Sequence, residues 1–165
     1  MLFRSRLDEA RAELASGLAS LPGDLGATPL AESPVRLLEA AVALSDRDAA
    51  MRLLPHVRPM AGTLGNGERA VTCVARHLGA ASALLGELED ARAYYDQGLE
   101  LCRRVRFRPE TALTRLQLAE LLLEHYPQEQ AQALQHLDFA IAEFQEMKMQ
   151  PALERALKHK GLLGA

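Results

Sequence analysis

Pro109 and Pro151 lie one constant offset apart, and each opens a run with apolar residues at helical spacing, RPETALTR from Arg108 and QPALERAL from Gln150. Nearly the same offset links the second members of the helix pairs, Ala50, Ala91 and Ala133. Each is followed four residues on by a large apolar side chain, Leu54, Tyr95 and Leu137, and seven residues on by Val57, Gly98 and Ala140. The period is about 42 residues, within the range of two-helix repeats. A two-helix unit of this length cannot bury its apolar face alone, so the recurrence predicts hairpins that stack on one another. This constrains the fold more tightly than any single motif in the chain.

Helical periodicity supports the same reading. Leu113, Leu116, Leu118, Leu121 and Leu122, and then Leu134, Leu137, Ile141 and Phe144, recur at the spacing of one helix face. Start and stop signals divide the chain into helices at roughly 2–20, 34–44, 46–60, 68–85, 88–106, 110–125, 128–147 and 151–160. No convincing strand is expected. Aromatic residues make up only 4% of the chain, and a core of Leu and Ala suits helix-on-helix packing. The segments 22–29 and 61–67, rich in Gly, Pro and Thr, read as breaks. Ser33 before Pro34 has the form of an N-cap followed by a first-turn proline. Pro55 and Pro59 lack amide donors and should kink or fray the helix at 46–60. Gly86 falls where the chain must leave a helix and turn back, a position suited to positive φ. Gly98 lies within a helix, where it either permits close approach of a neighbour or is a tolerated surface glycine.

A chain of 165 residues with 48% hydrophobic and 25% charged residues has the size and balance of one globular domain. Its apolar stretches fall short of the ~20 residues that span a bilayer. The N-terminal segment reaches Asp8 and Glu9 before any apolar run, unlike a secretory signal. Two cysteines, Cys73 and Cys102, fit a reducing compartment, so the expected location is cytoplasmic. A formal net charge of −3 argues against wholesale nucleic-acid binding.

Around HLGAASALLGELEDARAYYDQGLEL the chain resembles the tetratricopeptide repeat family. The resemblance rests on Leu78–Gly79, the small Ala91 twelve residues after Gly79, the aromatic Tyr95 and the small Gly98. Ala75, Ser82 and Arg103 stand where the motif has Trp, Tyr and Pro. A further unit matches at Leu118, Ala119, Ala133, Leu137 and Ala140, lengthened by two residues around 126–129, and a weaker first one at Leu37, Leu38, Ala50 and Leu54. The expected fold is therefore an all-α, tetratricopeptide-like solenoid in a single helical-repeat domain, 1–165. Its expected parts are an N-terminal helix and linker (1–29), hairpins at 30–67, 68–107 and 108–149, and a terminal helix (150–165). The chain also resembles the C-terminal repeat tails of multidomain bacterial transcriptional regulators and adenylate or guanylate cyclases. That resemblance implies a regulatory module that signals through protein contacts, as a whole chain or as a piece of a larger regulator. The tetratricopeptide resemblance further implies a partner groove on the first helices, at Arg76, Ala80, Ala83, Leu84, Leu116, Glu120 and Leu123.

Few residues point to chemistry. Cys73 and His77 share a helix face, and a hairpin over 68–107 would bring Cys102 near them; three metal ligands without a fourth compete with the reading of both cysteines as small buried hydrophobes. The same trio lacks the orienting group and oxyanion site that a thiolate nucleophile needs. GTLGNG has no Lys-Ser/Thr ending for a phosphate loop. No enzymatic activity and no cofactor are expected. RRVRFR places Arg103, Arg104, Arg106 and Arg108 together, and Lys148 follows Arg106 by one repeat period. These cations are either a ridge for an acidic partner or nucleic-acid backbone, or ordinary charges at helix C-termini. Self-association through the last repeat, as a homodimer, is a third expectation, because no polar capping helix follows LKHKGLLGA.

Overall fold

The computed structural model describes residues 2–19, 34–66 and 71–163. Ser33 and the break at 22–29 lie outside the described residues. The chain divides into two compact units, Met1–Glu87 and Leu88–Ala165. The first contains α1 (Leu2–Ala19), α2 (Pro34–Ala43), α3 (Arg47–Val57), β1 (Leu64–Asn66), β2 (Val71–Cys73) and α4 (Val74–Leu85). The second contains α5 (Leu88–Arg104), α6 (Arg108–His125), α7 (Gln130–Glu146) and α8 (Gln150–Leu163). The described chain is mostly helical, as the periodicity requires. The helices α4 and α5, which the repeat assigns to one hairpin over 68–107, belong to different units. Among the described residues no helix is long and apolar enough to cross a membrane.

In the first unit α2 packs on α1, α3 and α4, and α3 also packs on α4. Val35, Leu38, Ala41, Ala50, Leu53, Val57, Val74, Ala75, Leu78 and Ala81 are buried. Two expectations are corrected here. A short antiparallel pair, β1 with β2, joins Leu64 to Cys73 and Asn66 to Val71, in a segment where no strand was expected. The helix expected from residue 68 consequently starts at Val74, because 71–73 are extended. The reason lies in packing. Gly65 is buried, and a methyl group built on it would meet Val74 Cγ2 at 3.3 Å, so β1 passes close against the start of α4 and a larger residue there would press on Val74. The expected disturbance at the prolines is present: α3 carries Pro55, stops at Val57, and gives way to a tighter 3₁₀ turn over Arg58–Met60.

In the second unit each helix packs on the next, and α6 also touches α8. Tyr95, Cys102, Ala112, Leu116, Leu122, Leu137, Phe144 and Ala156 form its core. Gly98 and Ala140 are buried in α5 and α7. Gly98 is therefore an interior residue and not a tolerated surface glycine.

Four helices end on one backbone device. After α2, α4, α5 and α7 the chain turns at Ser45, Gly86, Arg106 and Lys148, whose φ values are 54, 82, 56 and 57°. In each case the next amide reaches back toward the helix: Asp46 to Ala41, Glu87 to Ser82, Phe107 to Cys102 and Met149 to Phe144, all at 2.8–2.9 Å. The turning residue itself donates to Val42, Ala83, Arg103 and Gln145 respectively. These paired bonds are Schellman closures, which satisfy the last carbonyls of a helix while reversing the chain. Gly86 accordingly has the role read from its position. The other three closures put ordinary residues into a left-handed conformation that costs about 1–2 kcal/mol each.

Candidate interaction site

In the second unit the facing sides of α6 and α8 border a shallow, largely open cleft of about 440 Å3, lined by Glu120, Leu123, Glu124, Arg155 and His159. Helical spacing brings these residues together. Glu120, Leu123 and Glu124 are three and four apart on α6, while Arg155 and His159 are four apart on α8. Arg155 donates from Nε to Glu120 Oε1 at 2.6 Å and from Nη2 to Oε2, the two-pronged geometry that suits a guanidinium and a carboxylate. His159 Nε2 lies 2.9 Å from Glu120 Oε1. Glu120 is thus held on two sides, while Arg155 remains about half exposed, its side chain at 53%. Leu123 contributes an apolar wall, and Glu124 an exposed carboxylate at 75%.

Two of the residues expected to face a groove, Glu120 and Leu123, line this cleft. Leu116, expected beside them, is fully buried. In the first unit Ala80, Ala83 and Leu84 are partly exposed on α4, whereas Arg76 is buried. Arg155, His159 and Glu124 were not singled out in the sequence. The available signal was the i, i+4 spacing of Arg155 and His159 on α8, which has meaning only once α8 is known to lie against α6.

The residues of the basic ridge are largely neutralised. Arg103 grips Glu100 through Nε and Nη2 at 3.0 Å each, and Arg104 Nε lies 3.7 Å from the same carboxylate. Glu100 raises the Arg103 pKa, and Arg103 lowers that of Glu100. Arg108 reaches across to α7, bonding Glu143 through Nε at 2.8 Å and Glu146 through Nη2 at 2.6 Å, and these bonds raise its pKa. Arg106 and Lys148 are exposed at two of the helix-closing turns.

Cys73 and Cys102 are free thiols, both fully buried, Cys73 at the cap of α4 and Cys102 within α5. His77 is engaged by protein. Thr72 Oγ1 lies 2.6 Å from its Nε2, and Arg76 Nη2 is 3.3 Å from the same nitrogen and 3.2 Å from the Thr72 hydroxyl. Arginine only donates, so Nε2 accepts and the ring proton sits on Nδ1. Burial, reinforced by the Arg76 charge, pushes the His77 pKa down to about 3. A neutral imidazole bonded in this way serves the packing of α4. No cluster of three or more potential metal-ligating residues occurs among the described residues.

Charge links the helices of the second unit at other points too. Arg92 on α5 holds Glu129 at 2.8 and 2.7 Å and lies over the Tyr126 ring, whose hydroxyl donates to Glu89 at 2.8 Å. On α6, Arg115 sits 4.2 Å over the Phe139 ring of α7 and donates from Nη1 toward His136 Nδ1 at 3.4 Å. No family model matches the chain, and neither does any curated protein.

Proposed function

We propose that the chain is a protein–protein interaction module with a tetratricopeptide-like arrangement of stacked helix hairpins, which holds a segment of another protein and performs no chemistry of its own. Its setting would be a bacterial signalling or transcription-regulating protein, in line with the resemblance of its repeats. The observation that carries this reading is the open depression between α6 and α8, lined by both charged and apolar side chains. Support also comes from the repeat positions. Ala50, Ala91 and Ala133, with Leu54, Tyr95 and Leu137, are all buried, although each stands a full repeat period from its counterpart in sequence. In both units a helix touches the second helix after it as well as the next, α2 with α4 and α6 with α8. Rigid stacked helices recognise by preorganised shape, so little ordering cost falls on the module itself.

Arg103 and Arg108, each held by a carboxylate, favour contact with a protein over binding along a nucleic-acid backbone, since a cation already held in this way releases few counterions. The test is selection of peptides from a displayed library on the intact chain, with counter-screening on Leu123→Asp and Arg155→Glu variants. Peptides that bind the wild type and lose about tenfold or more on both variants are the expected result, because each substitution alters one wall of the cleft. Failure to enrich any sequence, or binding by both variants equal to that of the wild type, rejects the reading.

A further inference from the structure

The four helix closures differ in charge. In Met1–Glu87 the turning residue is neutral and a carboxylate follows it, Ser45 with Asp46 and Gly86 with Glu87. In Leu88–Ala165 the turning residue is a cation set between two apolar residues, Arg106 between Val105 and Phe107 after α5, and Lys148 between Met147 and Met149 after α7. The carboxylates of the first unit are in use. Asp46 accepts from the Ala49 amide at 2.9 Å, and Glu87 accepts from Arg58 Nη2 and Ser82 Oγ at 3.4 Å each. The cations of the second unit are exposed, and among the described residues neither side chain has a hydrogen bond or ion pair. Local energetics leave them unexplained. Glycine would relieve the left-handed strain at both positions, and the attraction of an exposed cation to the last helical carbonyls typically returns less than that strain costs. Ser45 makes the same closure with no cation at all. The two turns lie side by side: Arg108, two residues after Arg106, bonds Glu146, two residues before Lys148, at 2.6 Å. Val105 is 49% exposed on the same turn as Arg106. The neighbouring arginines are already occupied, Arg103 by Glu100 and Arg108 by Glu143 and Glu146.

We propose that the paired turns 105–107 and 147–149 dock an acidic segment of a protein partner, with Arg106 and Lys148 each taking a carboxylate and exposed Val105 covering an apolar side chain beside them. This surface shares no residue with the cleft between α6 and α8, so the two stand or fall separately. Charge complementarity selects the occupant. Two free cations match individual carboxylates, and the apolar residues around them match the side chains that a peptide carries between its acids. Glu100, Glu143 and Glu146 stand close by and repel a continuous polyanion, and two phosphate contacts would hold a nucleic-acid strand only weakly. A segment of protein can instead place its acids singly, against the two cations that have no partner.

The experiment uses the full chain and follows the fluorescence anisotropy of dye-labelled Ac-Ala-Glu-Leu-Glu-Leu-Glu-Ala-amide, which alternates carboxylates with apolar side chains. Its Gln counterpart and a single-stranded oligothymidylate are the other probes. The expected result is saturable binding of the Glu peptide that weakens as salt rises, and binding about tenfold weaker or worse for the Gln peptide. An Arg106→Gly/Lys148→Gly variant should lose about tenfold or more in affinity while its thermal midpoint rises, because glycine removes the cations and relieves the strain together. An Arg52→Gln/Lys158→Gln variant removes the same charge from exposed positions elsewhere and should leave the curve in place. Absence of saturation overturns the proposal, as does retained affinity in the Arg106→Gly/Lys148→Gly variant or an equal loss in the Arg52→Gln/Lys158→Gln variant. Oligothymidylate binding tighter than that of the Glu peptide assigns the turns to a phosphate backbone and equally ends it.

Discussion

The two units are built from the same helical material, yet they are tied together differently. In Met1–Glu87 the described polar ties include ones to backbone and to neutral partners, beside an ion pair of Arg58 with Glu87. Arg47 caps the carbonyls of Leu84 and Leu85, and His77 is bonded to Thr72. In Leu88–Ala165 the ties are ion pairs between helices, Arg92 with Glu129, Arg108 with Glu143 and Glu146, and Arg155 with Glu120. The ionic ties join partners a little less than one repeat length apart in the chain. The contrast teaches that a shared apolar pattern leaves the polar stitching free to differ. A neutral buried histidine makes its unit respond to pH, whereas surface ion pairs respond to salt.

The largest effect should come from neither kind of tie. Phe144 is fully buried in α7, and Phe144→Ala should destabilise the chain by about 3–5 kcal/mol in urea titration. A loss below about 1 kcal/mol would mean that the apolar core is not the common foundation of the comparison. Next comes acid. His77 is depressed to about 3 in the folded chain while an unfolded histidine titrates near 6.5, so between these values the unfolded state binds the extra proton. Stability is therefore complete above about pH 6.5 and declines toward pH 3, by an amount on the order of a few kcal/mol. His136, less buried and depressed to about 4, adds a smaller slope of the same sign. His77→Gln should flatten the pH profile more than His136→Gln; the reverse ranking would place the acid-sensitive element in the second unit.

Smaller effects separate the closing turns. A methyl group on Gly86 meets nothing within 4 Å, so the cost of Gly86→Ala, about 1 kcal/mol, is purely that of positive φ. Lys148→Gly should move thermal stability the opposite way by a similar amount, because the same conformation is already strained there. Equal signs for the two substitutions would break the equivalence of the closures. The smallest change belongs to the exposed ion pairs. Arg108→Ala should lower the thermal midpoint only slightly at low salt and less still as salt rises.

Much of this molecule was legible one residue at a time. The helices, the prolines that open α6 and α8, the positive φ of Gly86 and the burial of Gly98 follow from local rules of propensity, capping and period. Arg106 and Lys148 gave no such signal, since their side chains do not favour the conformation that the closure imposes. The β1–β2 pair was invisible for a related reason. Three-residue strands carry no usable alternation, and Gly65 reads as loop until Val74 is seen to crowd it. Of the candidate site, Glu120 and Leu123 were found from the repeat register, but Arg155 and His159 were not.

Chain order alone determined that most of the chain is helical and which side of each helix is apolar, because hydrogen bonds along a helix and its hydrophobic stripe are local properties, whereas the start of α4 at Val74 was set by the β1–β2 pair. Which charges meet was decided only by the tertiary structure. Arg155 takes Glu120, Arg108 takes Glu143, and the buried Nε of Arg115 is left without a hydrogen-bond partner, since an ion pair depends on distances of a few ångströms between helices that no spacing along the chain specifies.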